Sequence, residues 1–186
     1  YADSAGLAEQ FIKDYPKSPN LPSAWLLLAR SQFFLSRWAE ASASYRQVRS
    51  STQEKDILEE AGHRVPKALA AQADALDRAD PQRSKLKEES LRAIEEFLRE
   101  FPGSAESGDI RLLQASLFLE LGRYAESSQA LDAARQADAG QDLGEDLDYM
   151  QAFAEAQRAE ELLADFKNAE AEAALAKAAQ IYTRLA

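Results

Sequence analysis

Phe11-Ile-Lys-Asp-Tyr-Pro-Lys-Ser18 returns 86 residues later (97 − 11) as Phe97-Leu-Arg-Glu-Phe-Pro-Gly-Ser104. The shift holds through Arg37-Trp-Ala-Glu40 against Arg123-Tyr-Ala-Glu126. Without a gap, residues 11–45 and 97–131 share 11 identities in 35 positions, where unrelated chains would share roughly two or three. The chain therefore carries an internal repeat. Repeat architectures build extended surfaces for other molecules more often than pockets for chemistry.

Working outward from the repeat, the punctuation gives helices in pairs. A helix over 2–15 is stopped by Pro16 and Pro19, and Pro22 stands in the first turn of the next, where its missing N–H costs nothing. That second helix runs to about Ser36 and is rich in apolar residues from Trp25 to Ala29 and from Phe33 to Leu35. A third, Arg37 to Ser50, sets Ala41, Tyr45 and Val48 on one stripe. Long helices are expected over 54–79, with a kink at Pro66, and over 83–101. Pairs then follow at 105–121 with 123–138 and at 145–164 with 167–185, the turn between these pairs being flanked by Gly140 and Gly144. Abundant alanine and few β-branched residues favour helix throughout.

Composition narrows the function classes. The chain has 186 residues, 46% of them apolar, enough for one domain with a buried interior and too apolar for disorder. A net charge of −10 argues against nucleic acid or an anionic membrane surface as partner, since both would repel the chain. Zero cysteines exclude disulfides and thiolate chemistry. No run of about 18 apolar residues spans a membrane. The opening Tyr1-Ala-Asp-Ser, already within a helical pattern and lacking Met, is expected to be part of a longer or processed chain.

Trp25-x2-Leu28-Ala29, then Leu35, Trp38 and Ala41-x3-Tyr45-x2-Val48, resembles a tetratricopeptide repeat, a helix–turn–helix of 34 residues. Gln32 stands where the pattern has Tyr. The second copy keeps Ala115, Phe118, Leu121, Tyr124 and Leu131 but has Arg111 in the place of Trp25 and Ser127 in that of Ala41. The resemblance implies an all-α, right-handed superhelical solenoid of antiparallel hairpins. It would be a single domain over 1–186: 1–16 as the second helix of a truncated repeat, then helix pairs at 20–52, 54–103, 105–140 and 143–186. The offset exceeds two 34-residue units by 18 (86 − 68), which assigns the surplus to a longer middle pair. Trp38 and Tyr124 are expected inside their hairpins.

The Phe-x3-aromatic-Pro-x-Ser phrase is similar to that of bacterial envelope scaffolds of the YbgF/CpoB and BamD type. It implies a non-catalytic scaffold in the periplasm or cell envelope, the cytoplasm being the alternative. In this family the first helix of each pair lines a concave face, one, five, eight and nine places after the Trp25 position. Those places are Leu26, Arg30, Phe33 and Phe34, then Leu112, Ser116, Leu119 and Glu120. They suit a protein or peptide with apolar anchors and a carboxylate. The competing assignment buries Phe33 and Leu119 against the preceding unit. A carboxylate clamp of the chaperone-tail type is broken, because Leu26 and Arg30 hold its first two positions.

No cofactor, metal or catalytic group is expected. His63 is a single histidine without Cys partners, fit for surface or helix packing. Glu59-Glu60 and Glu95-Glu96 read as solubilising faces, no P-loop or dinucleotide motif occurs, and residues 140–144 lack the alternating ligands of a calcium loop. Leu175, Ile181, Tyr182 and Leu185 concentrate apolar surface near the C-terminus, where a cap or a homo-oligomer contact is expected. Two other functions stay open: a small-ligand binding repeat protein, and the repeat domain of a larger enzyme.

Overall fold

The computed structural model describes residues 1–137 and 144–185, and among these there are nine helices and no strand. They are α1 (Ala2–Asp14), α2 (Leu21–Phe34), α3 (Trp38–Ser51), α4 (Lys55–Asp74), α5 (Pro81–Glu100), α6 (Ser107–Glu120), α7 (Tyr124–Ala137), α8 (Gly144–Ala164) and α9 (Asn168–Leu185). The chain is all-α and built of antiparallel helix hairpins: α2 with α3, α4 with α5, α6 with α7, and α8 with α9. The middle pair is the long one, with α4 and α5 each of 20 residues against 14 for α2 and α3. Gly140 lies outside the described residues.

Contacts divide the chain into two compact units, Tyr1–Ser104 and Ala105–Ala186. In the first, helices pack on their neighbours in sequence, and α2 also reaches α4. Ala29 and Ala41, both fully buried, let α2 and α3 approach at their crossing. Around them Leu26, Tyr45, Val48, Ala61, Val65, Ala68 and Leu69 form one core. Each large side chain there contributes roughly 1.5–3 kcal/mol by leaving water. The expected Tyr at position 32 is a buried Gln whose Oε1 accepts from Ser44 Oγ at 2.7 Å, a polar tie between α2 and α3. Pro66 sits inside α4, and the site is held by Ser90 Oγ of α5, which donates to the Pro66 carbonyl at 2.9 Å. α4 ends at Asp74 rather than 79, because Asp80 caps α5 by accepting from the Gln82 amide at 2.8 Å and Pro81 opens that helix.

The second unit repeats the plan with smaller residues. Ala115 and Ser127 meet at the α6–α7 crossing, and Ser127 Oγ donates to the Ala115 carbonyl at 2.9 Å, which is how Ser substitutes for the Ala of the first copy. Between α8 and α9 the buried apolar residues are mostly Ala152, Ala154, Ala159, Ala171, Ala174 and Ala178, with Leu147 and Ile181 at the open end.

One turn is used three times. Ser36, Gly122 and Phe166 each follow a first helix with φ of 58°, 72° and 60°. After each, a cationic residue donates its amide back five residues: Arg37 to Gln32, Arg123 to Phe118, Lys167 to Leu162, at 2.8–2.9 Å. This is the left-handed cap that ends helices and is normally glycine. It exposes a third copy of the repeat, Phe166-Lys-Asn-Ala-Glu170 beside Ser36-Arg-Trp-Ala-Glu40 and Gly122-Arg-Tyr-Ala-Glu126. The sequence expectation for Trp38 and Tyr124 needs correction: both are half-buried beside this turn, Trp38 lying edge-on to Phe33 at 4.9 Å.

Candidate functional site

The first helices α2 and α4 lie side by side because Ala61, Val65 and Leu69 of α4 fill the apolar stripe left by α2 and α3. Their polar edges then face one another. Arg30 makes a two-pronged pair with Glu60, its Nε at 2.6 Å from Glu60 Oε1 and a second bond from its Nη2. The hydrogen bond to Glu60 raises the guanidinium's affinity for its proton, against the opposing effect of burial. Beneath this pair Tyr45 is fully buried, and desolvation pushes its phenol up to about 12, with Arg64, Glu60 and Arg30 as the charges that modulate it.

Beyond Arg30, the end of α2 is aromatic. Phe34 is 57% exposed and stacks on Tyr1 with ring centroids 4.6 Å apart, tilted by only 14°. Phe33 is half-buried between Trp38 and Arg64, whose guanidinium carbon lies 5.8 Å from the ring centre. Leu26 faces the core, not this surface. Arg30, Phe33 and Phe34 are thus grouped, and Leu26 is separate. On α6, Leu112, Ser116 and Leu119 are half-buried and Glu120 is exposed, so the aromatic of the first copy becomes an acid in the second. Glu60 is the residue sequence reasoning missed: it reads as solubilising charge, but it holds Arg30.

Two depressions belong to the first unit. One, of about 390 Å³, lies between α3 and α5 over Val65 and Ala93 and is walled by Arg46, Arg49, Arg92, Glu89 and Glu96. Its two α3 arginines are held by α5 carboxylates, Arg46 by Glu89 at 2.5 Å and Arg49 by Glu100. The other, of about 350 Å³, is an apolar groove between α1 and α2 lined by Leu7, Ala8, Phe11, Asn20, Ser23, Ala24 and Leu27.

The second unit holds an ionic network, partly exposed but centred on a buried carboxylate, that the Ala/Glu/Lys pattern of α9 conceals. Glu155 of α8 occupies the place of Trp25 in the third copy and is 1% exposed. It accepts from Ser128 Oγ at 2.5 Å and pairs with Lys177 at 2.8 Å. Lys177 also binds Asp132 at 3.1 Å. Gln151 donates to Asp132 at 2.5 Å and accepts from Arg135 at 3.0 Å, and Arg135 pairs with Asp148. Burial works to lower the Lys177 ammonium, but its bonds to Glu155 and Asp132 prevail and raise it. The network ties α7, α8 and α9 together. His63 is buried and packs its ring 6.0 Å from that of Phe97.

No helix among the described residues is long and apolar enough to cross a membrane. No protein-family model and no curated protein matches the chain. Among solved structures it is similar to a thermophilic TPR protein of Thermus thermophilus, at 19% identity and a TM-score of 0.55, over 95% of this chain and 89% of that one. The fold is therefore tetratricopeptide-like.

Proposed function

We propose that the chain is a non-catalytic scaffold that binds a protein or peptide partner on the first-helix face of α2 and α4. The observation that carries this reading is the aromatic and arginine group at the end of α2, where Phe34 and Tyr1 stack in the open beside Phe33, Arg64 and Arg30. Aromatic side chains and arginine are the residues that dominate binding energy at interfaces. A tetratricopeptide-like fold supports the same use, since stacked hairpins present their first helices as a surface. Because Glu60 already occupies Arg30, a partner carboxylate would share that guanidinium with Glu60 or displace it.

Phe34→Ser is the clean test, as charge reversal at Arg30 would set two carboxylates together. Phe34 is more exposed than buried, so helicity and melting temperature should be nearly unchanged while capture of the partner from cell extract is lost. Equal recovery by Phe34→Ser and the unaltered protein would reject this face. The arginine cleft between α3 and α5 favours a second reading, a small anionic ligand. It is the weaker one, because Glu89 and Glu100 already neutralise two of its cations. For location we propose the bacterial cell envelope, supported by the Phe-x3-aromatic-Pro-x-Ser phrase. Self-association through α9 is supported by exposed Leu175 and Tyr182.

A further inference from the structure

Tyr45 is the largest of the fully buried side chains among the described residues, and its ring fills the core where α2, α3 and α4 meet. Its hydroxyl is left over. No hydrogen bond reaches it among the described residues, and a donor held out of water without an acceptor is a cost that packed cores normally avoid. The hydroxyl is not sealed in, however. The fully enclosed hydroxyls without a partner are those of Ser31 and Ser107, so that of Tyr45 keeps an opening to the surface. Three charges act on the phenol there, Arg64 and Glu60 of α4 and Arg30 of α2. Glu60 is committed to Arg30 by two bonds. Arg64, one helical turn beyond Glu60, forms no ion pair among the described residues and rests half-buried over the ring of Phe33 at 5.8 Å. Two cations against one carboxylate leave this corner positive in a chain whose net charge is −10.

A guanidinium stacked on an aromatic ring keeps its N–H edge free for an oxygen ligand. We propose that Arg64 and the Tyr45 hydroxyl together receive the carboxylate of an acidic side chain of the partner. The ligand of this face is then a peptide with Asp or Glu beside an apolar residue that meets Phe33. The inference rests on the α2–α4 face as the binding face and names what that face recognises. A carboxylate takes one charge-assisted bond from the guanidinium and another from the phenol, matching at once two donors that the protein itself leaves unmatched. At Arg64 it has no carboxylate to displace, whereas at Arg30 it would contend with Glu60. The phenol lies below the helix surface, so a carboxylate at the tip of a side chain reaches it more readily than a chain terminus, whose backbone would have to follow it in. The α3 and α4 helices that carry Tyr45 and Arg64 each pack against the helices before and after them, so this opening is not an end of the stack.

The probe is the capped tetrapeptide acetyl-Ala-Leu-Glu-Ala-amide, titrated into the intact, isotope-labelled protein and followed by nuclear magnetic resonance at the Arg64 Nε–H and the backbone amides of α2 and α4. Saturable shifts with a Kd on the order of 1 mM are expected. The same peptide with Gln in place of Glu should bind at least about tenfold more weakly. Arg64→Gln should weaken the Glu peptide by about tenfold, Arg64→Lys by less, and Tyr45→Phe by about threefold. Helicity should be unchanged in all three, since Arg64 lies at the surface and Phe keeps the buried ring. No saturable shift up to about 20 mM, or equal binding of the Glu and Gln peptides, would overturn the proposal. So would Glu-peptide binding that Arg64→Gln and Tyr45→Phe leave unchanged. A Gln peptide with an uncapped C-terminus that binds as tightly as the Glu peptide would overturn the side-chain assignment in favour of a chain terminus. In each of these cases loss of partner capture by Phe34→Ser would still uphold the face, so the two readings fail separately.

Discussion

Replacing Lys177 by Met removes the ammonium from the α7–α8–α9 network while keeping much of the side-chain volume. Glu155 stays behind, 1% exposed, with Ser128 Oγ at 2.5 Å and Arg158 at 3.6 Å as its remaining support. Stranding one member of a buried pair costs about 3–5 kcal/mol. The surviving partners and the partial exposure of Lys177 place this case at the lower end, about 3 kcal/mol. Removing both charges, Glu155→Leu with Lys177→Met, should restore stability to within about 1 kcal/mol of the unaltered protein, because an apolar pair of similar volume avoids the desolvation cost altogether. Urea unfolding followed by circular dichroism measures both. The native ammonium is raised, so its contribution is complete below the unfolded lysine value of about 10.4 and is lost only as pH climbs through the higher folded value. The deficit of Lys177→Met should accordingly be constant between about pH 7 and 9 and shrink above about 10.4. A loss under about 1 kcal/mol for the single variant, or a double variant no better than the single one, would refute the assignment of Lys177 as the support of the buried Glu155 carboxylate.

Two other outcomes follow from described geometry. Phe166 holds a left-handed backbone with its ring 90% exposed, so Phe166→Gly should stabilise the protein by about 1 kcal/mol, whereas Gly122→Ala at the equivalent turn should destabilise it by a similar amount; thermal melts of the pair check both signs. Tyr45 keeps its proton longer folded than unfolded, so stability should fall as pH rises from about 10 through the folded value of about 12, and Tyr45→Phe should flatten that slope in denaturant titrations across the same window.

Much of the fold is legible because its determinants are local. Prolines 16, 22, 81 and 102 punctuate helices wherever they fall, and Pro16 and Pro102 announce the 86-residue offset. The third copy is harder to see. It keeps the cation, Ala169 and Glu170 of the turn but sets Glu155 where Trp25 stands and Leu175 where Tyr45 stands, so its large-residue spacing is gone. A search on the turn alone, a basic residue and then x-Ala-Glu, would have found it. Of the candidate site, exposure at Phe34 follows from helical register. Glu60 does not, because its partner is 30 residues away on a neighbouring first helix and only packing brings the two together. Family register sets Leu26 outward, yet in this chain the stripe of Ala29, Tyr45 and Val65 draws it into the core.

Within each unit most packing joins helices adjacent in the chain, and the longer reaches in the first are α2 to α4 and the α3–α5 ion pairs. Such a network needs little loop closure before contacts are rewarded, which favours rapid folding from any hairpin and loss of structure from the ends inward. Amide exchange should then grade along the first unit, fastest in α1 with its open face and slowest in the core around Tyr45 and Leu69.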